Sequence, residues 1–230
     1  MGLCCYLAAN LIQIKYNISM KQFFLLGASS VYGVGGEDGG WADLFKKHVH
    51  KKMYGKYGVG EKYEVYNFSK SGATVQFVLD TFPEQIKQYG RDGDIVCIVS
   101  VGGNNSKAIK TPDNYVSSVK EYTNQMKDLF KLLKNHSNHV VFVSSGYIDE
   151  KKTNPKISPF DGSKSYFTNK RRLEFHYALK KLCEQTNVEI VDVDTPPKEW
   201  QEKYLYIDGL HPNNNGHQLI YQKLINVVNI

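Results

Sequence analysis

The sequence predicts an α/β protein: a parallel sheet with helices on both faces. Three observations carry that prediction. Strand-like and helix-like apolar patterns alternate from Lys21 onward. The strand-like runs end in glycine-containing turns, as at Gly27, Gly72 and Gly102. The run DIVCIVSVGG is too continuously apolar and β-branched for a half-exposed strand, which makes it the central strand, covered on both sides.

QFFLLG is the first strand, an apolar run stopped by Gly-Ala-Ser-Ser. WADLFKKHVHKKM follows the glycine-rich loop 33–40 and carries Trp41, Leu44, Phe45 and Val49 at helical spacing. YEVYNFS is the second strand, and TVQFVLDTFPEQIKQYG a helix interrupted or bent at Pro83. After the central run, NYVSSVKEYTNQMKDLFKLLKN reads as a long amphipathic helix and HVVFVSS as the fourth strand. Residues 165–185 form a helix, VEIVDV a short fifth strand, and NNGHQLIYQKLINVV the closing helix. Residues 146–164, rich in Pro, Asn, Ser and Lys, are the one long irregular insertion. Because they follow a strand end, they are expected to overhang the edge where the strand C-termini gather.

A length of 230 residues suits one domain, and 41% hydrophobic with 23% charged residues is the balance of a globular chain with a sizeable core. The net charge of +6 is mild and dispersed, with Lys46-Lys47, Lys51-Lys52 and Lys170-Arg171-Arg172 the densest clusters. Such clusters are ordinarily solvated helix faces, and no nucleic-acid signature accompanies them, so no nucleic-acid partner is expected. Cys97 and Cys183 fall inside apolar patterns and read as core thiols. No stretch has the length and apolarity of a membrane span. The start MGLCCYLAANLI lacks a basic region and makes a poor signal peptide. Gly2, Cys4 and Cys5 resemble an acylation start, but Tyr6 stands where that motif wants Ser or Thr. Residues 1–19 are therefore read as an appendage, residues 20–230 as the domain, and the expected location is cytoplasmic.

A parallel sheet brings its strand C-termini to one edge, and three of them carry residues with chemistry: Ser29, Gly72 and Asn104. Near the C-terminus, Asp208 and His211 are three residues apart on a turn before the last helix. A serine hydroxyl becomes a nucleophile when an adjacent base takes its proton, and histidine suits that work. A carboxylate on the other ring nitrogen fixes the tautomer. The N–H groups of Ser29 and Gly72 and the Asn104 amide would then hold the oxyanion of the tetrahedral intermediate.

The order Gly-x-Ser-x-x-x-Gly, a lone Gly, Gly-x-Asn and Asp-x-x-His resembles the SGNH (GDSL) hydrolases over nearly the whole domain. The resemblance implies a flavodoxin-like α/β/α sandwich of five parallel strands in order 2-1-3-4-5. It implies a serine esterase with Ser29, Asp208 and His211 as the triad and Ser29, Gly72 and Asn104 as the oxyanion hole. The register to Gly33 favours Ser29 over Ser30 as the nucleophile. Ala28 and Asn105 depart from the family pattern, each replacing a usual Asp without touching a residue assigned to bond-making. No cofactor and no metal are expected, since His48, His50, His136, His139, His176 and His217 show no ligand spacing. The substrate is an ester of open identity: a short acyl ester, an acetylated carbohydrate or a lysolipid. Two readings from other classes stand beside it. One is a catalytically inactive carbohydrate- or lipid-binding module on the same fold. The other is a flavodoxin-like nucleotide binder, which the loop 33–40 disfavours by lacking a phosphate-cradling motif.

Overall fold

The structure, a computed structural model, describes residues 20–55, 62–158, 161–228 and 230. The appendage 1–19 with Gly2, Cys4, Cys5 and Tyr6, and Phe160 of the insertion, lie outside the described residues.

Five parallel strands form the central sheet: β1 (Met20–Gly27), β2 (Lys62–Asn67), β3 (Asp94–Ser100), β4 (His139–Val143) and β5 (Glu189–Val191). Their order is 2-1-3-4-5, as expected, with β1 and β3 paired from Lys21↔Asp94 to Gly27↔Ser100. Five long helices flank it: α1 (Trp41–Tyr54), α2 (Val75–Tyr89), α3 (Val119–Lys134), α4 (Asn169–Thr186) and α5 (Asn214–Ile225).

Successive strand side chains point to opposite faces, and here both faces are buried. Phe24, Leu26, Cys97, Val99, Val140 and Phe142 pack under α2, α3 and α4. Phe23, Leu25, Val96, Ile98, Val141 and Val143 pack against α1, α5 and Trp200. This two-sided demand is why the strands read as unbroken apolar runs. Cys97 and Cys183 lie in the first layer, and burial pushes both thiols up to about 12, the environment of inert core cysteines.

Three elements differ from expectation. Helix α2 is not interrupted at Pro83, which sits on its exposed face while Val78 and Phe82 anchor the helix in the core. Helix α3 begins at Val119 rather than near Asn114, because Ser118 and Glu121 form a reciprocal capping box that starts the helix there. Helix α4 begins at Asn169, capped by Thr168, because Lys164–Tyr166 is a strand. That strand joins Ala108–Ile109 and Lys156–Ile157 in a small antiparallel sheet. The insertion is therefore built rather than irregular: a helical turn at Glu150–Thr153, then the hairpin of the small sheet.

Candidate active site

Strand β1 stops at Gly27 because its backbone passes against β3. With φ at +148°, a Cβ there would meet the Ser100 carbonyl oxygen at 2.1 Å, so only glycine fits. Ala28 then donates its N–H to Ser100 O at 3.2 Å, and Ser29 opens the helical turn Ser29–Tyr32. At the head of that turn, the Ser29 N–H has no intrahelical acceptor.

Ser29 Oγ lies 2.7 Å from His211 Nε2, and His211 Nδ1 lies 2.6 Å from Asp208 Oδ2. A carboxylate only accepts, so the proton of the second contact sits on Nδ1 and Nε2 is left bare for the Ser29 hydroxyl. Asp208 is held from four directions. Its Oδ1 accepts the backbone N–H groups of Leu210 at 2.9 Å and His211 at 3.1 Å, and Lys156 Nζ donates to Oδ2 at 3.2 Å. Burial alone would raise the Asp208 pKa, but the hydrogen bond and charge of His211, followed by the two backbone N–H groups, hold it well below the usual carboxylate range. Lys156 belongs to the insertion, which reaches the sheet edge as expected; Asp149 N–H also donates to Gly209 O at 2.9 Å.

Ser30, the rival serine, accepts the indole N–H of Trp41 at 3.2 Å instead. Asn104 Nδ2 donates to Ala73 O at 3.1 Å, and Lys107 Nζ donates to Asn104 Oδ1 at 3.3 Å, so the amide's orientation is fixed from both ends. Burial pulls the Lys107 pKa below its ordinary value. Gly72 has φ +84° in its turn and nothing within 4 Å of a would-be Cβ, so the backbone conformation calls for glycine and leaves the space above it open. Ser29, Asn104 and His211 line one cavity of about 290 Å³, whereas Gly72 does not line it; its loop is tied to the site through Lys70 N–H on Gly27 O at 3.0 Å.

The two departures at positions 28 and 105 differ in character. Ala28 caps the Ser29 turn without any side-chain hydrogen bond. Asn105, only 1% exposed, is fully used: Oδ1 accepts Val75 N–H at 3.0 Å, and Nδ2 donates to Ser117 Oγ at 3.0 Å and Gln125 Oε1 at 3.2 Å. It binds the start of α2 to α3. Asn105→Ala leaves those buried groups unpaired and is expected to cost about 2–3 kcal/mol, read as a lower urea midpoint at unchanged m-value.

His217, passed over for want of ligand spacing, clamps the loop behind Ser29. Its Nδ1 accepts Trp41 N–H at 3.1 Å and its Nε2–H donates to Val34 O at 3.1 Å, which fixes a neutral ring. Burial pushes its pKa below the ordinary 6.5. The unfolded chain thus takes up a proton below about 6.5 that the folded form resists, so stability falls as pH drops below that value. Asp192 and Asp208, both held low in the folded form, add a second loss as pH falls below about 3.8. Urea midpoints are expected to drop between pH 7 and 5, with a smaller drop in His217→Gln, and to fall steeply again below pH 4.

Among the described residues no group of three or more His, Cys, Asp or Glu side chains is placed to hold a metal ion. No helix among them is long and apolar enough to cross a membrane.

The family model described as the GDSL-like lipase/acylhydrolase family matches residues 25–219. The solved lipase/acylhydrolase from Enterococcus faecalis is similar with a TM-score of 0.65 at 16% identity, covering 90% of this chain and 95% of that one. An acetylxylan esterase from Geobacillus stearothermophilus is similar with a TM-score of 0.63 at 17% identity, over 91% of this chain and 94% of the other. At these identities the likeness is one of fold. No curated protein matches in sequence.

Proposed function

Because this chain belongs to the GDSL-like lipase/acylhydrolase family and is an ester-hydrolysing serine hydrolase, we propose that it cleaves esters through Ser29, His211 and Asp208. The observation that carries the reading is the continuous chain of short contacts, 2.7 Å from Ser29 Oγ to His211 Nε2 and 2.6 Å from Nδ1 to Asp208 Oδ2. As Ser29 Oγ bonds to the ester carbonyl carbon, its proton passes to Nε2, and the Asp208 carboxylate stabilises the imidazolium. The Ser29 N–H and Asn104 Nδ2 stabilise the oxyanion, with the Gly72 N–H as third donor once substrate is bound. Collapse of the intermediate expels the alcohol, which takes the proton from Nε2. Water then attacks the acyl-Ser29 carbonyl with its proton passing to Nε2, and collapse returns that proton to Ser29 as the acid leaves.

A cavity of about 290 Å³ sits at the small end of the range for ligand pockets. It favours short acyl groups over long chains, and acetyl esters of carbohydrates are a fitting substrate class, as in the acetylxylan esterase that shares the fold. The test is a chain-length series of 4-nitrophenyl esters. Turnover of the acetate to hexanoate members, falling with longer chains, is the expected result; no turnover of any member, or an optimum at long chains, would overturn this reading.

A further inference from the structure

Beyond the reacting residues the same cavity runs between α4 and the ends of β4 and β5, past Ser145, Arg172 and His176. Arg172 is its unmatched charge. Nη2 donates to Ser145 Oγ at 2.5 Å, and no carboxylate among the described residues lies within 4.0 Å of the guanidinium. The two acids on the cavity wall do not serve it. Asp192 is taken by Lys180 at 2.9 Å, Ser144 Oγ at 2.9 Å and His176 at 3.5 Å, and the charge of Asp194 acts on Lys180. Desolvation pulls Arg172 down to about 10, opposed only by the Tyr147 phenol. A guanidinium carries five N–H donors in a planar fork suited to a carboxylate or phosphate.

The same wall also holds the Trp200 indole N–H, buried with no acceptor. Toward the reacting end, Lys107 donates to Asn104 and Lys156 is matched by Asp208. Among the charged side chains that line the cavity, Lys180 is matched by Asp192, and Arg172 is the cation with no carboxylate among the described residues within 4.0 Å. Arg172 is half-buried and its guanidinium has donors left over after Ser145, so an anionic group on a bound substrate would supply the charged acceptor that the protein does not.

We propose that Arg172 makes this site select esters bearing an anionic group, a carboxylate or a phosphate, on the part of the substrate remote from the reacting carbonyl. The proposal rests on the ester hydrolysis assigned to Ser29 above and deepens it by naming the substrate class.

Matched substrates test it. Acetates of 4-hydroxybenzoate and of 4-hydroxyphenyl phosphate are compared with the acetate of 4-hydroxybenzamide, which probes the alcohol side. The 4-nitrophenyl monoester of glutarate is compared with the valerate, which probes the acyl side. The wild type is expected to prefer the charged member of at least one series by about thirtyfold or more in kcat/KM, and the favoured series shows whether carboxylate or phosphate is read. Arg172→Gln should collapse that ratio toward one while leaving neutral esters little changed, and Arg172→Lys should keep part of it. A wild-type ratio near one in every series, or a ratio that survives Arg172→Gln, would overturn the proposal. Calorimetry in a Ser29→Ala background separates the two claims. If Arg172→Gln weakens binding of the charged esters at least about tenfold relative to the benzamide ester, Arg172 is the reader even where turnover fails; equal binding rejects it.

Discussion

Ser29→Ala is expected to lower kcat for ester hydrolysis by about a million-fold, with the fold and melting temperature unchanged. In hydrolases that share this division of labour, removing the serine costs about as much as removing the whole triad, because the remaining groups have nothing to activate. Ser29 is suited to clean removal. Its Oγ makes its hydrogen bond with His211, and the turn it opens is held by backbone bonds from Gly33 and Val34 to Ser29 O, which alanine retains. His211→Ala is expected to produce a loss of similar size, and the double variant should lose no more than either single one. Steady-state kinetics on a short-chain ester, with melting curves for each variant, read this directly. A near-additive double variant would show that the two side chains do not act as a unit.

The second large effect is expected from Asp208→Asn, about 10⁴-fold in kcat. The reason lies in how fully the carboxylate is surrounded. If the new amide oxygen faces Leu210 and His211 N–H, the NH₂ group faces His211 Nδ1 and Lys156. The ring then accepts at Nδ1 and carries its proton on Nε2, where it cannot take the Ser29 proton. If the amide flips, NH₂ meets two backbone N–H donors instead. Neither orientation satisfies the site, and Lys156 loses a charged acceptor in both. The variant should therefore lose stability as well as rate, by about 1–3 kcal/mol, whereas Ser29→Ala should lose rate alone. Lys156→Met in the wild-type background, with all backbone donors intact, is expected to give a smaller rate loss than Asp208→Asn.

Much of this was legible in the chain, for identifiable reasons. The sheet order and its two-sided core follow from apolar runs such as FFLL and IVCIV, whose residues alternate between two helical layers that both exclude water. Asp208 and His211 were legible because three residues of one turn fix their relation, and Ser29 because a glycine-ended strand has only one edge at which to present it. What stayed hidden depends on distant pairs. Lys156 meets Asp208 across 52 positions, from a segment whose composition reads as loop although it forms a hairpin of the small sheet. Arg172 looks like one member of a solvated Lys-Arg-Arg cluster, yet one turn into α4 it is half-buried and lines the cavity. His217 offers no motif at all; its role exists only because α5 packs behind the loop 33–40. Pro83 is the opposite case. A local rule predicted an interruption or a bend, and the helix is not interrupted, since the core contacts of Val78 and Phe82 hold it on both sides of the turn.

In the proposed reaction Ser29, activated by His211, forms the covalent bond to substrate. The most direct measurement is labelling of the full chain by a fluorophosphonate probe, followed by peptide mass spectrometry. The expected result is a single adduct on Ser29 in the wild type, and its disappearance in His211→Ala under the same exposure. An adduct on Ser30 or any other serine with Ser29 unmodified, or undiminished labelling of Ser29 in His211→Ala, would contradict the account.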